Sequence, residues 1–522
     1  MSAWGEAIVV IDEITKEIDE KAGAAGLPPA NMQTFTAASG NAKAKLYITE
    51  PADTEVDSQL LCTVAGVKIM RKTGGYPTGP NDGTLVLDID RADFGAYSST
   101  PYEDTGLTND TLYYYAAFPY SDHGVYNLSS ANRATVTPKS YTIYGYKKAK
   151  SDSNPATRIT YTDAATGFTP LTRNFSADTT DLGSWANSFI INAFRPVMLK
   201  YDGTVDYELD PEDQTKKKDG TSSDISNTSY GGNAMVGVKT LWFYRYEDAD
   251  FEYVKIADMQ VDANYKAYAH TASDGSTILE EVFLPMFEGS SVSSKVRSLA
   301  GQTPMNTQTG ATEKTQIEAN GSGWQFDDWA NREMIRDVLT LLGRSTNVQA
   351  VYGAGHTTGG SSASSLLQTG TKKSKGMFSC SNNNDAVKVL WLENYWGDRW
   401  DRCYGMIYDS ANVIKVKMHP PYNTDGTGYT NTGVSITGTN GGYISATKMT
   451  EYGMLPKTVS GSETTYEADG CWRNTTQVNF LICGGDCNSD AHCGFPVCVN
   501  YLFSYSDWTF GPALSYKQPA AA

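Results

Sequence analysis

Charged residues are scarce in this chain of 522 residues, at 19%, and cations are scarcer than anions: 42 Lys and Arg against 59 Asp and Glu leave a formal net charge of −17. A protein that tracks nucleic-acid phosphates needs a basic face, and docking on anionic lipid needs a polybasic patch, so neither partner is expected. No apolar run reaches the roughly 18 residues of a transmembrane helix, and membrane insertion is not expected. The opening MSAWGEAIVVIDEITKE carries Glu6 and Asp12 and lacks a basic n-region, unlike a secretion signal. Histidine occurs only five times, with no pair at metal-ligand spacing on a helix. The patterns GxxxxGK[ST], GxSxG and HExxH are missing, as is a GxGxxG following a strand. No catalytic residue, metal ligand or cofactor is assigned, and the protein is expected not to be an enzyme.

What is plentiful is tyrosine (33) and glycine (48), a turn-rich and β-leaning composition. The length predicts two to four domains. Residues 5–22 read as a short helix, with Ile8, Ile11, Ile14 and Ile18 at steps of three and four and glycines and prolines closing it. Residues 1–30 are thus a helix packed on its own chain, or a docking and self-association segment. Over 31–138 short strands recur. LLCTVAGVKIMRK (60–72), TLVLDID (84–90) and TLYYYAAFPY (111–120) are strand-rich, and GGYPTGPNDG (74–83) is dense in turn residues. This spacing predicts an antiparallel sandwich. ATVTPKS (134–140) reads as a linker, after which 141–518 shows no second break. A helix is expected at 327–342, capped by Asp327 or Asp328 and stopped by Gly343. The polar stretches 214–233 and 355–376 read as surface loops.

Five of the eight cysteines (Cys471, Cys483, Cys487, Cys493 and Cys498) lie within 28 residues. Their spacing is not that of a CxxC knuckle; zinc, a disulfide or an incidental origin remain as readings. Composition favours the last. From Val478 to Tyr516 there is no Lys, Glu, Gln, Met or Arg, although the first four types number 28, 21, 12 and 14 in the whole chain. Free substitution of the two adenines in an Asn codon reaches Phe, Tyr, Cys, Ser, Gly, Asp and their like. It never reaches Lys, Glu, Gln, Met or Trp, and Trp508 is the single exception in the window.

GGDCNSDAHCGFPVCVNYLFSYSDWTFGPALSY (484–516) resembles the variable region of proteins diversified by diversity-generating retroelements. WLENYWGDRWDRCYGMIYD (391–409), NREMIRDVLTLLGRSTNVQAVYGAG (331–355), KYDGTVDYELDPED (200–213), DGTSSDISN (219–227) and KVRSLAG (295–301) resemble phage tail members of that family. The 31–138 segment is similar to their fibronectin type III or Ig-like modules. The resemblance implies a β-rich α+β protein, in which an N-terminal helix and a sandwich precede a large domain with a C-type lectin-like fold, related to formylglycine-generating enzymes. It implies a phage tail receptor-binding adhesin in the virion, a homotrimer gaining avidity from several copies. Its partners would be a bacterial surface protein or glycan, and other tail proteins through the N-terminus. Alternatives are a structural virion protein with a fixed C-terminus, or a cysteine- or metal-dependent enzyme on the same fold.

Within a variable region of about 471–516, the resemblance makes Gly484, Gly485, Gly494, Trp508 and Gly511 the scaffold, with Trp508 as aromatic anchor. The ligand-facing set is then Asp486, Asn488, Ser489, Asp490, His492, Phe495, Val497, Asn500, Tyr501, Phe503, Tyr505, Asp507, Thr509 and Phe510. Strand alternation implies that about half of them face the ligand.

Overall fold

The computed structural model describes residues 26–56, 59–97, 100–381 and 384–520. The helix expected at 5–22 lies outside them. The chain forms two units, Met1–Tyr141 and Thr142–Ala522, and is β-rich with few helices.

In the first unit, Thr34–Gly40, Lys43–Thr49 and Tyr102–Thr105 form a three-stranded sheet. Thr84–Asp90, Val64–Thr73, Tyr113–Ser121 and Arg133–Val136 form a four-stranded antiparallel one. Alternation along the strands decides what is buried: Val67 and Ile69 point inward against Phe35, Leu46, Ile48 and Tyr115, while Lys68 between them stays half-exposed. Asp104 of the smaller sheet accepts from Arg71 (2.6 Å) and Tyr115 (2.7 Å) of the larger. The linker expected at 134–140 is corrected here. Residues 134–136 belong to the edge strand paired with Tyr113–Ala116, because β-branched Thr135 and Val136 complete the sheet.

The second unit holds three main sheets. Ile159–Asp163, Ile143–Ala149, Phe251–Ala257 and Trp242–Glu247 make one. Val205–Glu208, Phe194–Lys200, Gly232–Lys239, Glu281–Pro285, Leu514–Tyr516 and Trp324–Phe326 make another. The largest is built around Trp400–Tyr408, beside which run Asn479–Cys483, Val497–Tyr501, Gly470–Arg473, Gly441–Thr450 and Gly453–Val459.

The long helix runs Trp329–Gly343. Asp328 is its N-cap, its carboxylate accepting from the Asn331 amide at 3.0 Å; Asp327 instead accepts from Arg332 at 2.8 Å. Gly343 is the last helical residue, and Arg344 takes the left-handed turn at φ 50°. One face carries Ile335, Val338, Leu339 and Leu342 into the core. The polar face is buried as well. Arg336 reaches Glu333 (2.9 Å) and the Met454 carbonyl (2.8 Å), and Asp337 receives Arg245 (2.6 Å) and the Tyr146 hydroxyl (3.0 Å). The stretches 214–233 and 355–376 are likewise not plain surface loops. Gln214, Ile225, His356, Thr357, Thr369 and Lys372 are buried, and Gln214, His356, Thr369 and Lys372 are hydrogen-bonded to their surroundings.

The boundary yields a testable outcome. Limited proteolysis is expected to cut within 137–141 and release a stable fragment beginning near Thr142, because 133–136 is paired in a sheet. Terminal sequencing checks it; cleavage inside 133–136 would contradict the strand assignment.

Candidate ligand-binding surface

The five adjacent strands Gly441–Thr450, Gly470–Arg473, Val497–Tyr501, Asn479–Cys483 and Trp400–Tyr408 present two faces. Cys471, Val497, Val499, Leu481 and Cys483 point into the main core. Trp472, Cys498, Ile482, Trp400 and Phe510 gather on a second, smaller cluster with Tyr501 packed against it. The register produces this grouping, since Trp472 lies opposite Cys498, Cys498 opposite Ile482, and Trp400 opposite Phe510.

An aromatic row follows. The Trp472 indole covers Gly470, two residues before it, and Gly441, directly across from it; a Cβ at either glycine would run into the ring. Trp400 meets it edge-on at 5.6 Å, and His492 lies 5.0 Å from it. His492 in turn stacks on Tyr443, with centroids 4.1 Å apart and planes 14° off parallel. At the other end Tyr501 packs on Phe510 (4.9 Å) and Tyr505 (4.5 Å). Tyr443, Trp472, His492 and Tyr501 are half-buried and Tyr505 is 40% exposed, so the row is open to solvent.

The backbone under this row is held by buried charge. Arg399, fully buried, donates to the carbonyls of Pro512 (2.8 Å), Gly289 (3.2 Å) and Met305, and its Nε lies 3.3 Å from Glu288. Gly511 leaves room for that guanidinium. Arg402 pairs with Glu313 at 2.7 Å and donates to the carbonyls of Gln308 (3.3 Å) and Tyr505. Burial pushes the Glu313 carboxyl up to about 7, against the pull of Arg402 and Arg399. Asp398 accepts from His356 (2.6 Å) and the Leu367 amide (2.9 Å), and its carbonyl takes the Cys487 amide (3.1 Å). Gly484, Gly485 and Gly494 have φ of 96°, 82° and 121°, where a side chain would be strained.

The structure sorts the expected ligand-facing residues. Asn488 and Asp490 are exposed, and Ser489, His492, Asn500, Tyr501, Asp507 and Thr509 are half-buried beside exposed Tyr505. Asp486, Phe495, Val497 and Phe510 are buried and are corrected to structural positions. Phe495 and Val497 point to the main core; Phe510 sits beneath Tyr501; Asp486 folds its carboxylate onto the Asn488 amide (3.0 Å) and the Ser489 hydroxyl (2.6 Å). Phe503 is half-buried but packs on Phe480 at 4.7 Å. Trp508 is corrected too: it is half-buried and outside the hydrophobic clusters, and the aromatic anchor is Trp400, 7% exposed.

Trp472, Tyr443 and Trp400 were not anticipated. Only Trp472 had a local signal, the Gly470-x-Trp472 spacing, which puts a glycine under an indole on one strand face. The five clustered cysteines are buried thiols, and burial pushes Cys471 and Cys487 up to about 12. They fill space in the packed interior, so an incidental origin does not make them dispensable. Among the described residues no group of three His, Cys, Asp or Glu is placed to hold a metal ion. Comparison with protein-family models finds no match for this chain, and comparison with curated proteins finds none.

Trp400→Ala is expected to destabilise the second unit by about 3–5 kcal/mol, as truncation of a buried aromatic does. Trp508→Ala should cost well under half of that, since its ring has fewer partners to lose. Chemical denaturation of both variants checks this; equal losses would restore Trp508 as an anchor.

Proposed function

We propose that the chain is a phage tail receptor-binding adhesin that attaches to a bacterial surface ligand through this aromatic row and the loops at 486–493 and 500–509. In this reading the second unit is a C-type lectin-like domain of the kind diversified by retroelements. The first unit is an Ig or fibronectin type III-like spacer, and the N-terminus joins other tail proteins in a trimeric virion component. One observation carries the reading: the half-exposed side chains project from a backbone held by groups that do not face solvent. Asp490 is tied through its amide to the Thr357 carbonyl (2.9 Å), Thr509 through its carbonyl to the amide of buried Trp400 (2.7 Å), and Tyr505 through its carbonyl to Arg402. Side chains at such positions can change without changing the loop, which is what a diversified recognition surface requires. Aromatic groups with few rotatable bonds then supply contact area at low entropic cost.

The test is cell attachment by the double variant Tyr501→Ala, Tyr505→Ala. At roughly 2 kcal/mol for each interface aromatic, attachment should fall strongly, and multivalency amplifies the loss. Melting should move little, because Tyr505 is exposed and Tyr501 half-exposed. A variant that melts as the parent does and attaches as well as the parent would place the receptor surface elsewhere.

A further inference from the structure

We infer that the ligand of this surface is a neutral glycan chain, whose pyranose rings lie on the outer face of Trp472. The inference rests on the reading of the row as the adhesin's ligand surface. Gly470 and Gly441 let the indole lie over bare backbone, so one broad face is turned to the sheet and the other away from it. The negative π face of an indole favours the weakly positive C–H groups of a pyranose and the apolar face they form. Trp400, edge-on at 5.6 Å, and the stacked His492–Tyr443 pair fix the indole from two sides. A platform that is rigid before binding loses little entropy on binding.

Charge selects the class of glycan. No Lys or Arg occurs between Val478 and Tyr516. Arginines beside the row have their donors engaged by the protein itself: Arg402 is paired with Glu313, and Arg473 donates to the carbonyls of Gly438 (3.0 Å) and Ile436. The acidic side chains Asp490 and Asp507 stand on the flanking loops, exposed and half-buried. The loops that flank the row therefore offer no cation to a uronate, sialate or phosphate polymer, and their carboxylates repel each of them. Hydroxyl groups of a neutral sugar find acceptors in the same carboxylates and in half-exposed Asn500.

The test uses the full chain on bacterial cells to which it attaches, with Trp472→Ala, Trp472→Phe and the parent compared. Cells are left untreated, oxidised with periodate to open sugar diols, or digested with protease. The inference expects attachment to be lost on periodate cells and kept on protease-treated cells. Trp472→Ala should weaken binding about 30-fold, the equivalent of roughly 2 kcal/mol for an interface aromatic. Trp472→Phe, which keeps an aromatic face and guards against misfolding, should retain most of it. Attachment that survives periodate and is lost to protease overturns the glycan and leaves the adhesin reading standing, with a protein receptor. A chain that attaches to no cell overturns the adhesin reading. The glycan site is then decided on the isolated protein against arrayed maltohexaose, cellohexaose and chitohexaose, with hexagalacturonate as the anionic comparison. Binding to a neutral hexamer that Trp472→Ala weakens supports the site; no binding to any of them overturns it.

Discussion

Asp401 and the arginines that converge on it are the constraint on which the second unit depends. Arg332 of the long helix reaches it at 2.8 Å, and Arg399, two residues earlier on the same stretch, approaches at 3.7 Å. Around them Asp327, Glu288, Glu313 and Arg402 are also buried. Taking so many ions out of water is expensive, and breaking one such pair leaves the partner charge stranded at a cost of about 3–5 kcal/mol. Hydrophobic packing is non-directional and would tolerate many loop paths. Guanidinium groups that must satisfy named carbonyls at Pro512, Gly289 and Tyr505 admit few of them. This explains how a unit with so much irregular chain keeps a defined backbone.

The same arrangement separates support from recognition. Phe510–Pro512 pairs in parallel with Trp400–Arg402, and Leu514–Tyr516 pairs in the six-stranded sheet, so the segment following the proposed ligand loops is held in two sheets at once. Interior positions of this region are occupied by Cys471, Cys483, Phe495, Val497 and Val499. Outward positions carry Trp472, His492, Asn500, Tyr501 and Tyr505. Variation confined to the outward set leaves the interior packing untouched, which is the property a diversified adhesin would need.

Much of the fold was legible, because it rests on local rules. The strands Thr84–Asp90 and Tyr113–Ser121 fall where alternation and turn residues placed them, and the helix cap is Asp328, one of the two aspartates expected there. The failures share a physical cause. Alternation gives a period of two but not which phase faces the core, so Val497 falls in the expected ligand-facing set although the neighbouring strands turn it inward, and Phe495, in the bend before that strand, is packed on Tyr395 and Trp396 by contacts remote in sequence. The polar face of the long helix is buried as well; its partners Arg245, Asp401 and Met454 are remote in sequence, and nothing local announces them. Trp508 stood out as the single tryptophan of a biased window, whereas the anchor came from Trp400, brought in by a parallel strand pairing that leaves no sequence signature. The clustered cysteines were read by their codons, and their burial is a property of the sheet that receives them.

The central claim is that buried groups fix the backbone while outward side chains are free to change. A saturation scan of 484–512, sorted for folded protein by resistance to protease on a display surface, tests it most directly. The account predicts broad tolerance at Asn488, His492, Asn500, Tyr501 and Tyr505, and intolerance at Gly485, Cys493, Gly494, Phe495, Val497 and Gly511. Equal intolerance at both sets, or free substitution at the second, would contradict it.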